Sequence, residues 1–305
     1  MARKRKGIPI HGWLNIEKPK GMTSTQVVSK IKWLTKAQKV GHAGTLDPAA
    51  DGVLPIALGE ATKTVPYMMD AKKEYIFTIR LGEETNTADQ EGEITKTCTY
   101  IPSPQEIGDV LDQFTGDIMQ VPPAYSAIKI DGQRAYARSR NGEDVVMSPR
   151  PVHIFSLRIH EELVTKENEV TLICQCSKGT YIRSLAQDIA IATGSLGHVV
   201  RLTRTMVGNF KLDHTILLEN IEKIVHVAPL ADELSAILLS ADAVLDDIPV
   251  LHLEESEALR LRQGQKIGGV SFPQCSLIRV FHDNILLAIG KVEHHTLTPI
   301  RIFNL

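Results

Sequence analysis

The carboxylate best placed to do chemistry in this chain is Asp47, which lies in a loop of small residues. Residues 41–55 hold three glycines and two prolines around this aspartate, with His42 near the start. Glycine lets the backbone approach a ligand closely, and Pro48 restricts the residue before it to extended conformations. The Asp47 side chain is therefore expected to be held in few directions, as a nucleophile requires.

The same Asp-Pro pair also has a structural interpretation. Asp47 could be the N-cap of a helix with Pro48 at its first position, and for an isolated Asp-Pro pair the cap is the better interpretation. The length of the loop and the motifs around it favour the chemical one.

Four other stretches accompany the loop along the chain. They are Gly12–Ser24 (GWLNIEKPKGMTS), Lys72–Tyr75 (KKEY), Pro122–Lys129 (PPAYSAIK) and Cys176–Arg183 (CSKGTYIR). With the Asp47 loop they resemble, in the same order, the motifs of the TruB family of tRNA pseudouridine synthases. Five ordered matches are far more specific than any one of them.

The resemblance implies a function and a fold. The function is isomerisation of the T-loop uridine of tRNA, at position 55, to pseudouridine. The fold is the pseudouridine synthase fold, consistent with our assignment of an α+β domain around a mixed, largely antiparallel sheet. The reaction breaks the bond between ribose C1′ and uracil N1, turns the base and rejoins it through C5. This chemistry needs neither a metal nor an organic cofactor.

The resemblance assigns catalytic roles to Asp47, Tyr75 and Arg183. Asp47 is the nucleophile; its target is open among the sugar, the base and a glycal route. Arg183 would keep Asp47 ionised in a pocket with little water. Tyr75 would stack on the uracil, and its phenol, with an ordinary pKa near 10, is better suited to stacking than to proton removal at neutral pH.

Four residues are predicted to bind the substrate. A uridine in a folded loop must leave its stack to reach Asp47, and His42 could fill the space it vacates, although a histidine bonded within the turn is an equal alternative. By the resemblance, Lys18, Pro19 and Leu202 line the uridine pocket.

Three other polar residues lie near these motifs. The resemblance at Leu202 would make Arg201 and Arg204 phosphate contacts, although exposed arginines on a strand are a common alternative. Asp89, followed three residues later by Gly92, is typical of a turn and is given no chemistry.

Charge is distributed unevenly along the 305 residues, which carry a formal net charge of −2. Residues 1–73 hold thirteen Lys/Arg against five Asp/Glu, and residues 258–305 hold six against two. Residues 214–257 hold ten acids and one lysine. We expect the two basic ends to bind RNA phosphates and the acidic segment to face away.

Other classes of protein are disfavoured. The chain lacks an apolar run long enough to span a bilayer and a signal peptide, so a cytoplasmic protein is expected. The four cysteines form no Cys-x-x-Cys pair, and Cys174 and Cys176 alternate along a predicted strand, so we expect buried thiols rather than a metal site.

Periodicity predicts the main elements. A helix capped by Thr23 or Ser24 has an apolar stripe, strands begin near Tyr75 and Val170, and Ser103 opens a helix through about Phe114. Another helix begins near Ile182 and is closed by Gly194.

The domain division follows a change in composition. Residues 1–245 are assigned to the catalytic domain. Residues 246–305, rich in short strands and turns, resemble a PUA-type RNA-binding barrel. The expected partner is the T-arm of tRNA, with no membrane or metal, and the protein is expected to be a monomer.

Two other functions remain open. An RNA-binding or tRNA-folding protein would use the basic helix but would not need Asp47, Tyr75 and Arg183 together. A glycoside hydrolase would need a second carboxylate, for which Asp51 is the candidate in the same loop.

Overall fold

The computed structural model describes residues 7–126, 128–130, 132–140, 143, 145–161, 166–227, 234 and 236–305. The helices are α1 (Ser24–Thr35), α2 (Val65–Asp70), α3 (Pro104–Val110), α4 (Ala135–Arg140), α5 (Ile182–Ala192), α6 (Leu218–Val227) and α7 (Glu255–Arg262). Short 3-10 helices lie at Gly59–Lys63, Leu111–Phe114 and Leu212–His214.

The strands alternate with these helices without a regular βαβ repeat. In the first half they are β1 (Gly12–Lys18), β2 (Val40–His42), β3 (Asp51–Leu58), β4 (Lys73–Leu81), β5 (Glu83–Thr85), β6 (Ile94–Thr97), β7 (Gly116–Gln120), β8 (Lys129–Ile130) and β9 (Gln133–Arg134). They continue as β10 (Arg150–Ile159), β11 (Glu169–Cys176), β12 (Gly197–Val207), β13 (Phe210–Lys211), β14 (Ile216–Leu217), β15 (Val250–His252), β16 (Ile267–Gly268), β17 (Cys275–His282), β18 (Ile285–Glu293) and β19 (Thr296–Ile302).

One large sheet forms the frame of the molecule. Among the described residues it has ten strands, in the order β14-β1-β3-β12-β4-β11-β10-β7, with β2 beside β3 and β13 beside β12. The pairs β1–β14 and β3–β12 are parallel, and the other neighbours are antiparallel. The predicted α+β class with a mixed, largely antiparallel sheet is confirmed.

Alternating apolar residues bury one face of the central strands. Phe77 on β4 and Leu172 on β11 lie in one core cluster with Leu185 and Ile189 of α5. Cys174 and Cys176 are buried in the same cluster as free thiols, as predicted. A second cluster packs α1 and α6 against β1 and β3.

The predicted helices also form. Thr23 caps α1 in a capping box with Gln26, and Ser103 caps α3, which continues into the 3-10 turn ending at Phe114. The helix-cap interpretation of Asp47 is wrong: residues 47–50 form a turn, in which the Ala50 amide donates to the Asp47 carbonyl at 3.1 Å, and no helix follows.

The C-terminal residues form a separate sheet. Its order is β15-β17-β18-β19-β16, and α7 contributes Leu261 to its core beside Val280 and Leu297. The sheet curls as a half-barrel, consistent with the predicted PUA-like domain. In none of the described segments is there a helix long and apolar enough to cross a membrane.

The last residues of the chain bind this sheet to the 3-10 helix Gly59–Lys63. The Asn304 amide donates to the Glu60 carboxylate at 2.9 Å, and the Lys63 ammonium donates to the Ile302 carbonyl at 2.6 Å. The Phe303 ring is buried in an apolar cluster with Leu245.

Candidate active site

The Asp47 loop connects β2 to β3 and is fixed from the side of α1. The Ser24 hydroxyl donates to the Leu46 carbonyl at 3.2 Å and accepts from the Leu46 amide at 2.9 Å. The Gly21 amide donates to the Pro48 carbonyl at 2.8 Å. These bonds leave little freedom to the peptides on either side of Asp47.

Arg204 fixes the same loop from the side of β12. Its guanidinium donates to the carbonyls of Val53 at 2.8 Å, Gly44 at 3.2 Å and Thr45 at 3.4 Å. The residue is only 1% exposed. The prediction that Arg204 contacts phosphate is therefore wrong, because its donors are directed at buried carbonyls. Arg201, on the same strand, is exposed.

Asp47 and Arg183 meet although 136 positions separate them in the chain. Arg183 lies in the first turn of α5, and its Nε is 2.8 Å from the Asp47 Oδ2. The Nε atom makes no hydrogen bond within the described residues, so this contact is an ion pair rather than a directed hydrogen bond. The Asp47 side chain keeps 33% of its surface exposed, whereas that of Arg183 keeps 6%.

The Arg183 guanidinium is held by further oxygens. Nη1 donates to the Thr87 carbonyl at 2.9 Å, and Nη2 donates to the Tyr125 carbonyl at 3.0 Å. Such multiple contacts use the planar fork of arginine, which lysine could not replace. The cation beside Asp47 is therefore fixed in orientation before any substrate arrives.

Asp89 contacts Arg183, a pairing that the sequence analysis did not predict. It does form the predicted turn, because its Oδ1 accepts from the Glu91 amide at 3.0 Å and from the Thr87 hydroxyl at 2.6 Å. Its Oδ2 lies 3.4 Å from Nη1 of Arg183, and the residue is only 6% exposed. A buried carboxylate needs such a partner, but nothing in the turn pattern indicates which one.

Tyr75 lies on β4, opposite Cys174 on one side and Arg204 on the other. The residue is 9% exposed and shares a core cluster with Leu46. Burial raises the pKa of Tyr75 to about 12, against the opposing effect of the neighbouring Arg204 guanidinium. The phenol is therefore protonated at neutral pH, which favours stacking over proton removal as its role.

The predicted substrate-binding residues occupy different positions. His42 ends β2 with Nδ1 lacking a hydrogen-bond partner among the described residues, and burial lowers its pKa, so its ring is neutral at pH 7. Pro19 is exposed, and Leu202 is buried near Asp47. Lys18 is fully buried and donates to the Met22 carbonyl at 2.7 Å, so it supports the Asp47 loop from the protein interior.

A narrow slot opens beside Asp47. Its volume is about 10 Å³, room for roughly one water molecule. It is lined by Asp47, Ala49, Asp89, Gln90, Arg183, Val199, Val200, Arg201 and Leu202. The slot brings together the predicted nucleophile, its cation and one predicted pocket residue, but a uracil ring does not fit until it widens.

Comparisons with known proteins agree with this architecture. Residues 32–182 match the model of the TruB family pseudouridylate synthase N-terminal domain. Residues 183–246 match that of the tRNA pseudouridylate synthase B C-terminal domain.

Curated relatives match along most of the chain. A tRNA pseudouridine synthase B of Ruegeria pomeroyi is 48% identical over 90% of this chain and 88% of its own. One from Caulobacter vibrioides is 42% identical over the whole of both chains.

Solved structures share the fold. A chain of an H/ACA ribonucleoprotein bound to a substrate RNA containing 2′-deoxyuridine superposes with a TM-score of 0.72 at 22% identity, covering 100% of this chain and 92% of that one. A chain of a Cbf5–Nop10–Gar1 complex has the same TM-score at 24% identity, covering 96% and 84%. The family models and the relatives lead to one conclusion: the chain belongs to the TruB family of pseudouridylate synthases.

Proposed function

We propose that this protein converts the uridine at position 55 in the T-loop of tRNA to pseudouridine, with Asp47 as the nucleophile. The observation that carries the proposal is the ion pair between a partly exposed Asp47 and a buried, fixed Arg183, at a slot in a chain of the TruB family. The pair places a partly exposed carboxylate beside a fixed guanidinium at a slot where a nucleotide could enter.

The reaction rearranges one nucleotide without any net addition. The C1′–N1 bond breaks, the uracil turns within the site, a bond forms between C1′ and C5, the C5 proton leaves and N1 gains one. Asp47 attacks the sugar or the base, or assists a glycal route, and all three need a carboxylate within reach of the flipped nucleotide. Neither a redox partner nor water is consumed, so the chemistry requires no metal or cofactor.

Tyr75 and Arg183 serve the same step differently. We assign Tyr75 to stacking on the freed uracil rather than to proton removal, because its phenol, with a pKa raised to about 12, stays protonated at neutral pH. Arg183 keeps Asp47 ionised when the substrate excludes water. Leu202 lies against the slot, where an apolar side chain would pack on the base.

Substrate entry requires the slot to widen. Flipping a uridine costs a few kcal/mol, which contacts with the rest of the tRNA must offset. In this proposal the exposed Pro19 contacts the nucleotide, and the neutral imidazole of His42 stacks on a neighbouring base. We assign residues 1–245 to catalysis and residues 246–305 to RNA binding. In this proposal the protein acts on tRNA as a monomer in the cytoplasm.

The proposal is tested with an unmodified tRNA transcript and purified protein. Wild-type protein should form one pseudouridine, at position 55, without added metal or nucleotide. Asp47→Asn should bind the transcript with a dissociation constant within about threefold of wild type and form no product, because an amide of the same shape cannot act as the nucleophile. Pseudouridine is mapped by its carbodiimide adduct, and binding is measured on filters.

Asp51→Asn is the matched control in the same loop, and it should retain turnover within about tenfold. Turnover by Asp47→Asn would refute the assignment of the nucleophile. Free uracil in the products, together with an inactive Asp51→Asn, would indicate glycoside hydrolysis. A wild-type protein that binds the transcript but leaves every uridine unchanged would indicate an RNA-binding protein.

A further inference from the structure

Trp33 is an aromatic side chain on the surface of α1. It is 72% exposed, whereas the opposite face of the helix buries Val27, Ile31 and Leu34. A single exposed apolar residue needs no explanation by itself. The charged residues around Trp33 point to a role for this exposed ring.

The segment around Trp33 has only one sign of charge. Residues 18–46 contain six lysines and no aspartate or glutamate. Lys18 is buried and Lys30 is paired with Glu222 of α6. The other lysines on the surface of this segment have no ion-pair partner anywhere in the described part of the chain; they are Lys20, Lys32, Lys36 and Lys39.

The lysine-rich segment begins next to the Asp47 loop. The first residue of α1, Ser24, is hydrogen-bonded to Leu46, the neighbour of Asp47. At about 1.5 Å per residue, Lys32 lies roughly 12 Å along the helix from Ser24, and Lys36 roughly 18 Å. A nucleic acid whose nucleotide enters at Asp47 can therefore extend along the helix.

We propose that the exposed face of α1, formed by Lys32 and Trp33 with Lys36 at the C-cap of the helix, binds the tRNA backbone several nucleotides away from the flipped uridine. The lysines contact phosphates, and Trp33 stacks on an exposed base. Unpaired lysines around a free aromatic ring are what a single-stranded or distorted RNA segment requires. The identity of the RNA rests on the proposed function, whereas the RNA-binding face itself does not.

Fluorescence tests the contact directly. The chain has two tryptophans, and Trp13 is fully buried, so a quencher in solution reaches mainly Trp33. Saturating unmodified tRNA should reduce the acrylamide quenching constant about twofold or more, and Trp33→Phe should abolish this change. Unaltered quenching in the complex would overturn the proposal.

Kinetics tests its contribution to substrate binding. Trp33→Ala should raise KM for tRNA about five- to tenfold, the size expected for one stacked base, with kcat within twofold. Lys32→Ala combined with Lys36→Ala should raise KM and lower the slope of log Kd against log salt by about 1 to 2. Lys223→Ala, an exposed lysine on the acidic α6, is the control and should change neither quantity.

Because Trp33 is mostly exposed, its replacement should leave the melting temperature unchanged, so a lower affinity cannot be ascribed to unfolding. Wild-type KM and salt slope in both variants would refute the inference while wild-type turnover upholds the proposed function. If the wild type binds tRNA but produces no pseudouridine, the proposed function fails, and filter binding and fluorescence still decide whether the α1 face binds RNA.

Discussion

Arg183 carries its positive charge between two carboxylates, and this balance sets how freely Asp47 can react. One carboxylate, Asp89, is buried and fixed by the turn, whereas the other, Asp47, is partly exposed at the slot. Both carboxylates therefore share one guanidinium. If Asp47 is the nucleophile, as we propose, this sharing weakens the hold of Arg183 on it.

Asp89→Asn should therefore lower kcat about tenfold while the Kd for tRNA stays within twofold. The amide preserves the shape of the turn but removes the competing charge, so Arg183 binds Asp47 more tightly and raises the barrier by about 1.4 kcal/mol. Single-turnover rates and filter binding measure the two effects separately. Glu91→Gln, the exposed neighbouring acid, should behave as wild type; equal losses in both variants, or a change confined to Kd, would contradict this role.

Single residues were predictable where the motif itself carries the chemistry. Asp47 and Arg183 were singled out from local stretches, and the structure brings them to 2.8 Å. The prediction for Arg204 is wrong and the ion pair of Asp89 was not predicted, because the partners of both residues are distant in sequence. An aspartate in a turn and an arginine on a strand have the same local pattern whether they face solvent or the interior.

Lys18 links β1 and the turn before α1 to the catalytic loop. Its ammonium donates to the carbonyls of Pro19 at 2.9 Å and Met22 at 2.7 Å, and it lies 3.4 Å from that of Pro48. Burial lowers its pKa to about 8, although Asp51 and Asp47 oppose the shift. Burial lowers the pKa of Lys73, which donates to turn carbonyls before β4, to about 8 as well.

These lysines predict a stability that rises with pH. Between the folded pKa of about 8 and the ordinary value of 10.5, the unfolded chain binds protons that the folded chain has released. The free energy of unfolding should therefore increase between about pH 8 and 10, by on the order of 2 kcal/mol per lysine. Urea titrations at constant ionic strength measure it. Lys18→Met should show roughly half the rise, and a constant or falling stability in the wild type would refute the prediction.

Elements were more predictable than their arrangement. Alternating apolar residues and capping boxes identified α1, α3, β4 and β11, because these signals are local. The parallel contact of β3 with β12 has no local signal, since Thr203 and Asp51 pair only after the chain has crossed the sheet. That contact brings Arg204 against the Asp47 loop.

The Phe303 ring is buried where the C-terminal sheet packs against the rest of the chain. Phe303→Ala should lower the free energy of unfolding of this sheet by about 3 to 5 kcal/mol, the cost of emptying a buried aromatic site. Hydrogen exchange should show the loss in β17–β19 before β4. Leu305→Ala, at an exposed apolar neighbour, is the control. Equal stability of the two variants would show that the junction is not held by this ring.

A change in composition predicts the division at residue 246, but nothing in the sequence predicts the contacts between the C-terminal sheet and the rest of the chain. These contacts join Phe303 and its neighbours to Glu60 and Lys63, which lie more than half the chain away. None of the three residues belongs to a recognisable motif.

The small volume of the slot also bears on selectivity among small molecules. A free nucleoside carries no phosphate, so it cannot form the phosphate contacts whose binding energy would widen the slot around Asp47. Free uridine and uracil in the cell should then neither react nor compete with tRNA for the site. Only an RNA long enough to contact the protein outside the slot should enter it.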